Sequence, residues 1–328
     1  MSEACRRELD IAVLVPCFNE AQTVGKVIAD FLQALPAARV YVYDNLSTDD
    51  TAARARAAGA IVRSERSPGK GNVIRRMFAD IEADIYLIVD GDDTYDASAA
   101  PRLVERLLAD NLDMVNGRRV QEGSHAFPFG HRFGNRALTG LVRELFHCEF
   151  RDVLSGCKVF SRRFVKSFPA LARGFDIEIE LTVHALEMRV PTAELPVGYQ
   201  ARPDGSESKL HTYRDGLRIL RTMVRFLKEE RPLQVFGLIG AILALVAVVL
   251  SIPLFITYFE TGLVPRFPTA ILVIGLMMTA ALSITAGLIL DTVTRGRQEM
   301  KRLFYLSIPA LESDAAARLR DADLLARR

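Results

Sequence analysis

Asp90, Gly91, Asp92 and Asp93 end an apolar run, Ile85-Tyr86-Leu87-Ile88-Val89. Five residues rich in β-branched and aromatic types predict a buried strand. Unpaired carboxylates cannot follow it into a core, so they belong at its C-terminal edge, where open α/β sheets bind ligands. Gly91 lets the backbone turn so that Asp90 and Asp92 can face one hard cation, and carboxylate oxygens together with substrate phosphates suit Mg²⁺ or Mn²⁺. Taken alone, the same residues also fit an acidic turn.

Three further strands end in polar groups. Ile11–Val15 leads into Pro16-Cys17-Phe18-Asn19-Glu20, and Val40–Tyr43 into Asp44-Asn45-Leu46-Ser47-Thr48-Asp49-Asp50-Thr51. Ile61-Val62 is followed by Gly69-Lys70-Gly71-Asn72. Helical spacing over 23–35, a helix over 48–58, another over 71–79 and one over 99–108 separate these strands, with a further strand at 114–116. Strands alternating with helices predict a mostly parallel sheet in an α/β domain, whose strand ends share one edge and can converge on one ligand. The turn after the first strand is not glycine-rich and no GxxxxGK[ST] loop occurs, which argues against a Rossmann dehydrogenase and a P-loop NTPase.

The chain has 328 residues, enough for about two domains, and a formal charge of +2, which implies no bulk affinity for nucleic acid. Its four cysteines lack metal or disulfide spacing. The charged first ten residues predict no secretory signal. Leu233–Thr257 and Phe267–Leu290 contain no charged residue, and each is long enough to cross roughly 30 Å of hydrocarbon. They predict a transmembrane hairpin rather than two buried core helices. Arg218, Arg221, Arg225, Lys228 and Arg231 precede it, and Arg295, Arg297, Lys301 and Arg302 follow it, so the positive-inside rule puts both ends in the cytoplasm. Residues 131–148 and 212–230 carry apolar stripes beside arginines, the second fitting an interfacial helix. The expected organisation is a catalytic domain over 1–211, a juxtamembrane amphipathic helix over 212–230, two spans within 231–291, and a cytoplasmic tail over 292–328.

With these motifs in order, residues 10 to about 230 resemble glycosyltransferase family 2, of the GT-A fold. The pattern is a VP-x-x-NE first strand, a DDGSxDxT second turn, a GKG or GKA loop and a DxD metal site. The nearest resemblance is to polyprenyl-phosphate glycosyltransferases such as dolichyl-phosphate mannose synthase. Asp152-Val153-Leu154-Ser155-Gly156-Cys157-Lys158 is similar to their D-x-x-SG-[FC]-[KR] segment, and Arg202 to Leu210 to their R-x-x-G-x-SK loop. The resemblance implies that Pro16, Phe18, Glu20, Asp44, Lys70, Asp90, Gly91 and Asp92 bind the nucleotide, with Asp44 on the base, and that Asp90 and Asp92 hold Mg²⁺ or Mn²⁺. It implies that Arg202 and Lys209 close over phosphates, that Arg118 or Arg119 meets the acceptor phosphate, and that Ser155 and Gly156 line the sugar or acceptor pocket. Asp92, Arg118, Asp152, Arg202 and Lys209 form the implied catalytic set. A lipid phosphate is already ionised and needs no strong general base; Asp152, Asp176 and Glu178 are the acids available if one is used.

The implied activity is an inverting hexosyltransferase that moves one sugar from a GDP- or UDP-linked donor to undecaprenyl or dolichyl phosphate at the inner membrane. Its partners are the nucleotide sugar, the polyprenyl phosphate and membrane lipid, without nucleic acid, and the spans offer a surface for oligomerisation. Transfer to another lipid hydroxyl and a non-catalytic nucleotide-sugar-binding scaffold are the alternatives. A processive polysaccharide synthase is disfavoured, because the chain has no tryptophan for a Q-x-x-RW motif. Asn45 and Leu46 depart from the DDGS turn, and Thr94 stands where dolichyl-phosphate mannose synthases often carry glutamine.

Overall fold

The structure, a computed structural model, describes residues 9–121, 148–169, 177–200 and 227–310, together with 139–140, 142–144, 146, 202 and 224. Lys209, Asp176, most of the two amphipathic segments at 131–148 and 212–230, and the tail beyond 310 lie outside the described residues.

The first unit, Met1–Gly216 with Lys301–Arg328, is built on one seven-stranded sheet. The N-terminal half follows the predicted alternation: β1 (Ile11–Cys17), α1 (Val24–Ala34), β2 (Arg39–Asp44), α2 (Thr51–Ala57), β3 (Ile61–Ser64), α3 (Lys70–Asp80), β4 (Ile85–Ile88) and, after a 3-10 turn, α4 (Ala100–Ala109). The local cause is clear in α1, which buries Val24, Val27, Ile28 and Phe31, the i, i+3, i+4, i+7 face that packs on a sheet. Strand β4 is buried along its whole length, as a central parallel strand must be. The second half adds β5 (Met114–Gln121), β6 (Lys158–Ser161), α5 (Arg162–Ser167), α6 (Ile177–Met188) and β7 (Thr192–Tyr199). Apart from the start of β5, the strand-and-helix pattern read from the sequence stops short of this half.

The strand order is β3-β2-β1-β4-β6-β5-β7. Only β6 runs antiparallel, to β4 on one side and β5 on the other, so the sheet is mostly parallel, as expected. This reversal matters for the site. The C-terminal ends of β1, β2, β4 and β5 meet the N-terminal end of β6, so the segment Asp152–Cys157 arrives at the same edge as Asp90.

The second unit, Leu217–Met300, contains α7 (Pro232–Thr261) and most of α8 (Phe267–Leu306). Gly262, at φ 69, closes α7 in the left-handed conformation. Both helices are long and apolar enough to cross a membrane, with mean hydropathy 2.9 and 2.2, and only 11% of each apolar window is buried. That exposure sets aside the reading of two soluble core helices. Within this unit Ser283 donates to the Phe236 carbonyl at 2.8 Å, and Arg297 pairs with Glu230 at 3.2 Å. α8 runs on to Leu306, past the predicted end of the span at Leu290. Its last residues count with the first unit, where Lys301 pairs with Glu187 at 2.7 Å and Tyr305 donates to Asp113 at 2.6 Å.

Candidate active site

The strand-end loops are tied to one another before any ligand is considered. The Asn45 amide donates to the Cys17 carbonyl at 2.9 Å, the Asn19 amide to Ser47 Oγ at 2.9 Å, and the Glu20 amide to Thr51 Oγ1 at 2.9 Å. Thr23 Oγ1 donates to the Gly91 carbonyl at 2.7 Å and fixes the acidic turn to the start of α1. Gly91 is needed here for space: a Cβ would stand 2.7 Å from Cys17 Sγ. Its φ is not in the left-handed region, so close approach, rather than the turn itself, accounts for the glycine.

Both expected metal carboxylates are paired with cations of the protein. Lys70 Nζ, at the start of α3, bridges Asp90 and Glu178. Arg202 reaches Asp92 Oδ2 at 2.7 Å. Burial alone would lower the Lys70 pKa, but Asp90 and Glu178 outweigh it and raise it, so the ammonium stays charged. Burial raises Asp92, with repulsion from Asp90 adding to it and Arg202 opposing. Thr94 donates its amide and hydroxyl to Asp92 Oδ1 at 3.3 and 2.6 Å. Thr94 therefore orients the carboxylate, and Asp93, with φ 57, turns away to Lys26 at 2.7 Å.

The antiparallel approach of β6 brings Gly156 against Asp90. A Cβ at 156 would lie 2.2 Å from Asp90 Oδ2. The Gly156 amide donates to the Tyr95 hydroxyl at 2.7 Å, and Tyr95 packs edge-on against Tyr199 with centroids 5.2 Å apart. The tyrosines carry no motif that sequence reasoning could have used; they meet only because an isolated bridge joins Tyr95, after β4, to Tyr199 at the end of the edge strand β7. The donor set of Asp90 and Asp92, with the bare backbone of Gly156 facing Asp90, fits a hard divalent cation. Among the described residues there is no cluster of three or more His, Cys, Asp or Glu that could hold a metal ion.

Ser155 and the two arginines of the implied acceptor set, and Asp152 of the implied catalytic set, each have partners within the protein. Ser155 is wholly buried, and its hydroxyl donates to the Gly117 carbonyl and accepts from the Cys157 amide at 3.2 Å. It braces the turn before β6. Asp152 accepts from Arg119 Nε at 2.7 Å and from its terminal nitrogen at 2.8 Å. Although burial would raise the Asp152 carboxyl, these bonds hold it below the usual carboxylate range. It is a positioning group for Arg119, which also lies over the Tyr199 ring at 5.5 Å. Neighbouring strand positions point to opposite faces, so Arg118 parts from Arg119. It approaches Glu194 at 3.8 Å and opens on a cleft of about 500 Å³ shared with Arg151 and Glu194.

Beneath the site Lys158 is 1% exposed and bonded to Asn116 and Thr182. Burial pulls its pKa down to about 8, against the attraction of Asp152, Glu178 and Glu194. Asn45 organises the neighbouring loop through its side chain. Its Nδ2 donates to the Glu65 and Ser67 carbonyls at 2.9 and 2.8 Å, and its Oδ1 accepts from the Gly69 amide at 2.7 Å. It pins the loop that delivers Lys70. Asp44 Oδ1 is buried without a hydrogen-bond partner among the described residues.

A mostly parallel sheet with an Asp-Gly-Asp turn flanked by lysine and arginine at its ligand edge defines a glycosyltransferase of the GT-A class. The sequence pattern described as Glycosyl transferase family 2 matches residues 12–168. The glycosyltransferase AglJ of Haloferax volcanii is 33% identical over 249 residues, 76% of this chain and 81% of that protein. A dolichyl-phosphate hexose transferase of the same organism is 27% identical over 68% of this chain and 96% of its own length. Among solved structures, glucosyl-3-phosphoglycerate synthase from Mycobacterium tuberculosis in complex with Mg²⁺ and uridine-diphosphate matches with TM-score 0.54 and 26% identity, over 66% of this chain and 79% of that one. The chain belongs to glycosyltransferase family 2.

Proposed function

We propose that this glycosyltransferase transfers one hexose, with inversion, from a nucleoside-diphosphate sugar to a polyprenyl phosphate at the cytoplasmic face of a membrane. The donor diphosphate lies at Asp90 and Asp92, where Lys70 and Arg202 already supply fixed positive charge. When bound, Mg²⁺ or Mn²⁺ on the two carboxylates supplies Lewis-acid stabilisation of the leaving diphosphate. Lys70, held charged by its carboxylate neighbours, and Arg202 add preorganised electrostatic stabilisation on the same side. An oxygen of the acceptor phosphate forms the new bond to the anomeric carbon as the bond to the donor diphosphate breaks, and no proton need move.

The observation that carries the acceptor class is the pairing of Asp152. Both its oxygens are taken by Arg119, while Glu178 is bonded to Lys70. Asp152 is thus engaged through both oxygens rather than poised as the general base that a hydroxyl acceptor would need, whereas Glu178 is held through Oε1 and its buried Oε2 has no partner among the described residues. A phosphate acceptor brings its own charge. The relative named as a dolichyl-phosphate hexose transferase supports the same class, and α7 and α8 would anchor the enzyme beside such a lipid. The organisation in this proposal is the catalytic domain over 1–211, the amphipathic helix 212–230, the spans, and a cytoplasmic tail.

The test supplies purified full-length protein and Mg²⁺ or Mn²⁺ with a panel of labelled UDP- and GDP-sugars and undecaprenyl or dolichyl phosphate. A labelled, mild-acid-labile lipid is expected, and its loss in Asp92→Asn. No labelled lipid from any donor would refute the proposal. Label in an acid-stable glycolipid would favour a hydroxyl acceptor, and a cellular role that survives Asp92→Asn would favour a scaffold.

A further inference from the structure

Lys70 is the first residue of α3, and Glu178 lies in the first turn of α6. The two positions treat their charges differently. A helix N-terminus carries partial positive charge, which favours the Glu178 carboxylate and opposes the Lys70 ammonium. A buried ammonium needs counter-charge in any case. Lys70 has it from two sides, because the same Nζ donates to Asp90 Oδ1 and to Glu178 Oε1.

The two carboxylates are not equivalent. The Asp90 side chain is 30% exposed, whereas those of Glu178 and Lys70 are each 9% exposed. In the donor reading Asp90 is claimed twice, by Lys70 and by the divalent cation. Glu178 gives Lys70 one oxygen, and its buried Oε2 has no partner among the described residues. An ammonium has three N–H donors. If the cation draws Asp90 away, the donor that Lys70 had placed there is freed for a phosphate oxygen, and Glu178 still neutralises the lysine. Without Glu178, giving up Asp90 would leave a buried ammonium with no carboxylate partner among the described residues, so Lys70 would hold Asp90 against the cation.

We infer that Glu178 is a positioning residue for the donor site: it anchors Lys70 while Lys70 yields Asp90 to the divalent cation and turns to the donor diphosphate. The inference rests on the donor reading above and adds how lysine and cation share one carboxylate. Lys70 and the cation compete for Asp90, and Glu178 lowers the cost of the exchange. Glu178 therefore acts through Lys70, without itself touching the cation or the nucleotide.

The test compares full-length wild type, Glu178→Gln, Lys70→Met and the double variant. Mn²⁺ affinity is followed by electron paramagnetic resonance, and UDP and GDP affinity by calorimetry at saturating Mn²⁺. Lys70→Met, freed of the competing ammonium, should bind Mn²⁺ about tenfold more tightly, and Glu178→Gln about three- to tenfold more weakly. Nucleotide affinity should fall in both single variants. A residue that acts through another shows non-additivity, so in the Lys70→Met background Glu178→Gln should change neither constant by more than about twofold. Should Lys70→Met not fold, because it leaves a buried carboxylate unpaired, Lys70→Gln takes its place, since its amide can still donate to Glu178. Equal losses from Glu178→Gln with and without Lys70 overturn the inference in favour of a residue that acts by its charge alone or shapes the fold, and leave the donor reading standing. Unchanged or weaker Mn²⁺ binding in the Lys70 variant overturns it as well. A wild type that binds neither UDP nor GDP overturns both readings.

Discussion

Gly156→Ala should disable the enzyme while leaving the fold in place. The methyl group would stand 2.2 Å from Asp90 Oδ2 and 2.8 Å from its Cγ. To regain an ordinary contact near 3.4 Å, the carboxylate must retreat by roughly 1.2 Å. It has room to do so, because the Asp90 side chain is 30% exposed, and the added carbon costs about 1 kcal/mol of stability, as for a mild overpacking. A misplacement near 1 Å costs on the order of 100-fold in rate, about 2.7 kcal/mol of transition-state stabilisation. The assay is kcat/KM for the active donor at saturating acceptor, with Mn²⁺ affinity followed separately by electron paramagnetic resonance. Both should fall, while the melting transition moves by a few degrees. A variant within about threefold of wild type in turnover, with unchanged Mn²⁺ affinity, would show that Asp90 is not positioned by the Gly156 backbone and would refute the reasoning.

Asn45→Ala removes two donors and one acceptor from the loop over Glu65–Gly69, and should cost about 2–3 kcal/mol of stability, read as a drop in melting temperature, and weaken nucleotide binding by loosening Lys70. Asn45→Asp should not rescue it, because a carboxylate cannot donate to the Glu65 and Ser67 carbonyls. His184 is 2% exposed, packed edge-on against Phe164 and Phe168, and burial first, then the Lys301 charge, lowers its pKa to about 3. Between pH 6.5 and 3 the unfolded chain therefore binds a proton that the folded chain does not, and stability falls as pH falls. At pH 5 the loss is about 2 kcal/mol, and His184→Leu should flatten this part of the stability-versus-pH curve; equal slopes for variant and wild type would contradict it.

The sequence by itself determined the N-terminal half of the sheet, the acidic turn and the two long apolar helices. These features are local: an apolar period, a charge at a strand end, or an uninterrupted hydrophobic run states its own burial requirement. Asp90, Asp92, Lys70 and Asp44 were legible for that reason, since each ends or follows a strand whose direction the alternation of strand and helix dictates. What these groups do to one another depends on strand order. β6 enters antiparallel between β4 and β5, and no local pattern in Lys158-Val159-Phe160-Ser161 announces it. That single reversal puts Gly156 against Asp90 and the Tyr95 hydroxyl, and Asp152 in the grip of Arg119. It also buries Ser155 in the turn before β6. The assignment of partners among buried charges was likewise decided only by tertiary structure. A carboxylate in a motif reads equally as base, metal ligand or ion pair, and the choice falls to whichever cation the fold brings within about 3 Å.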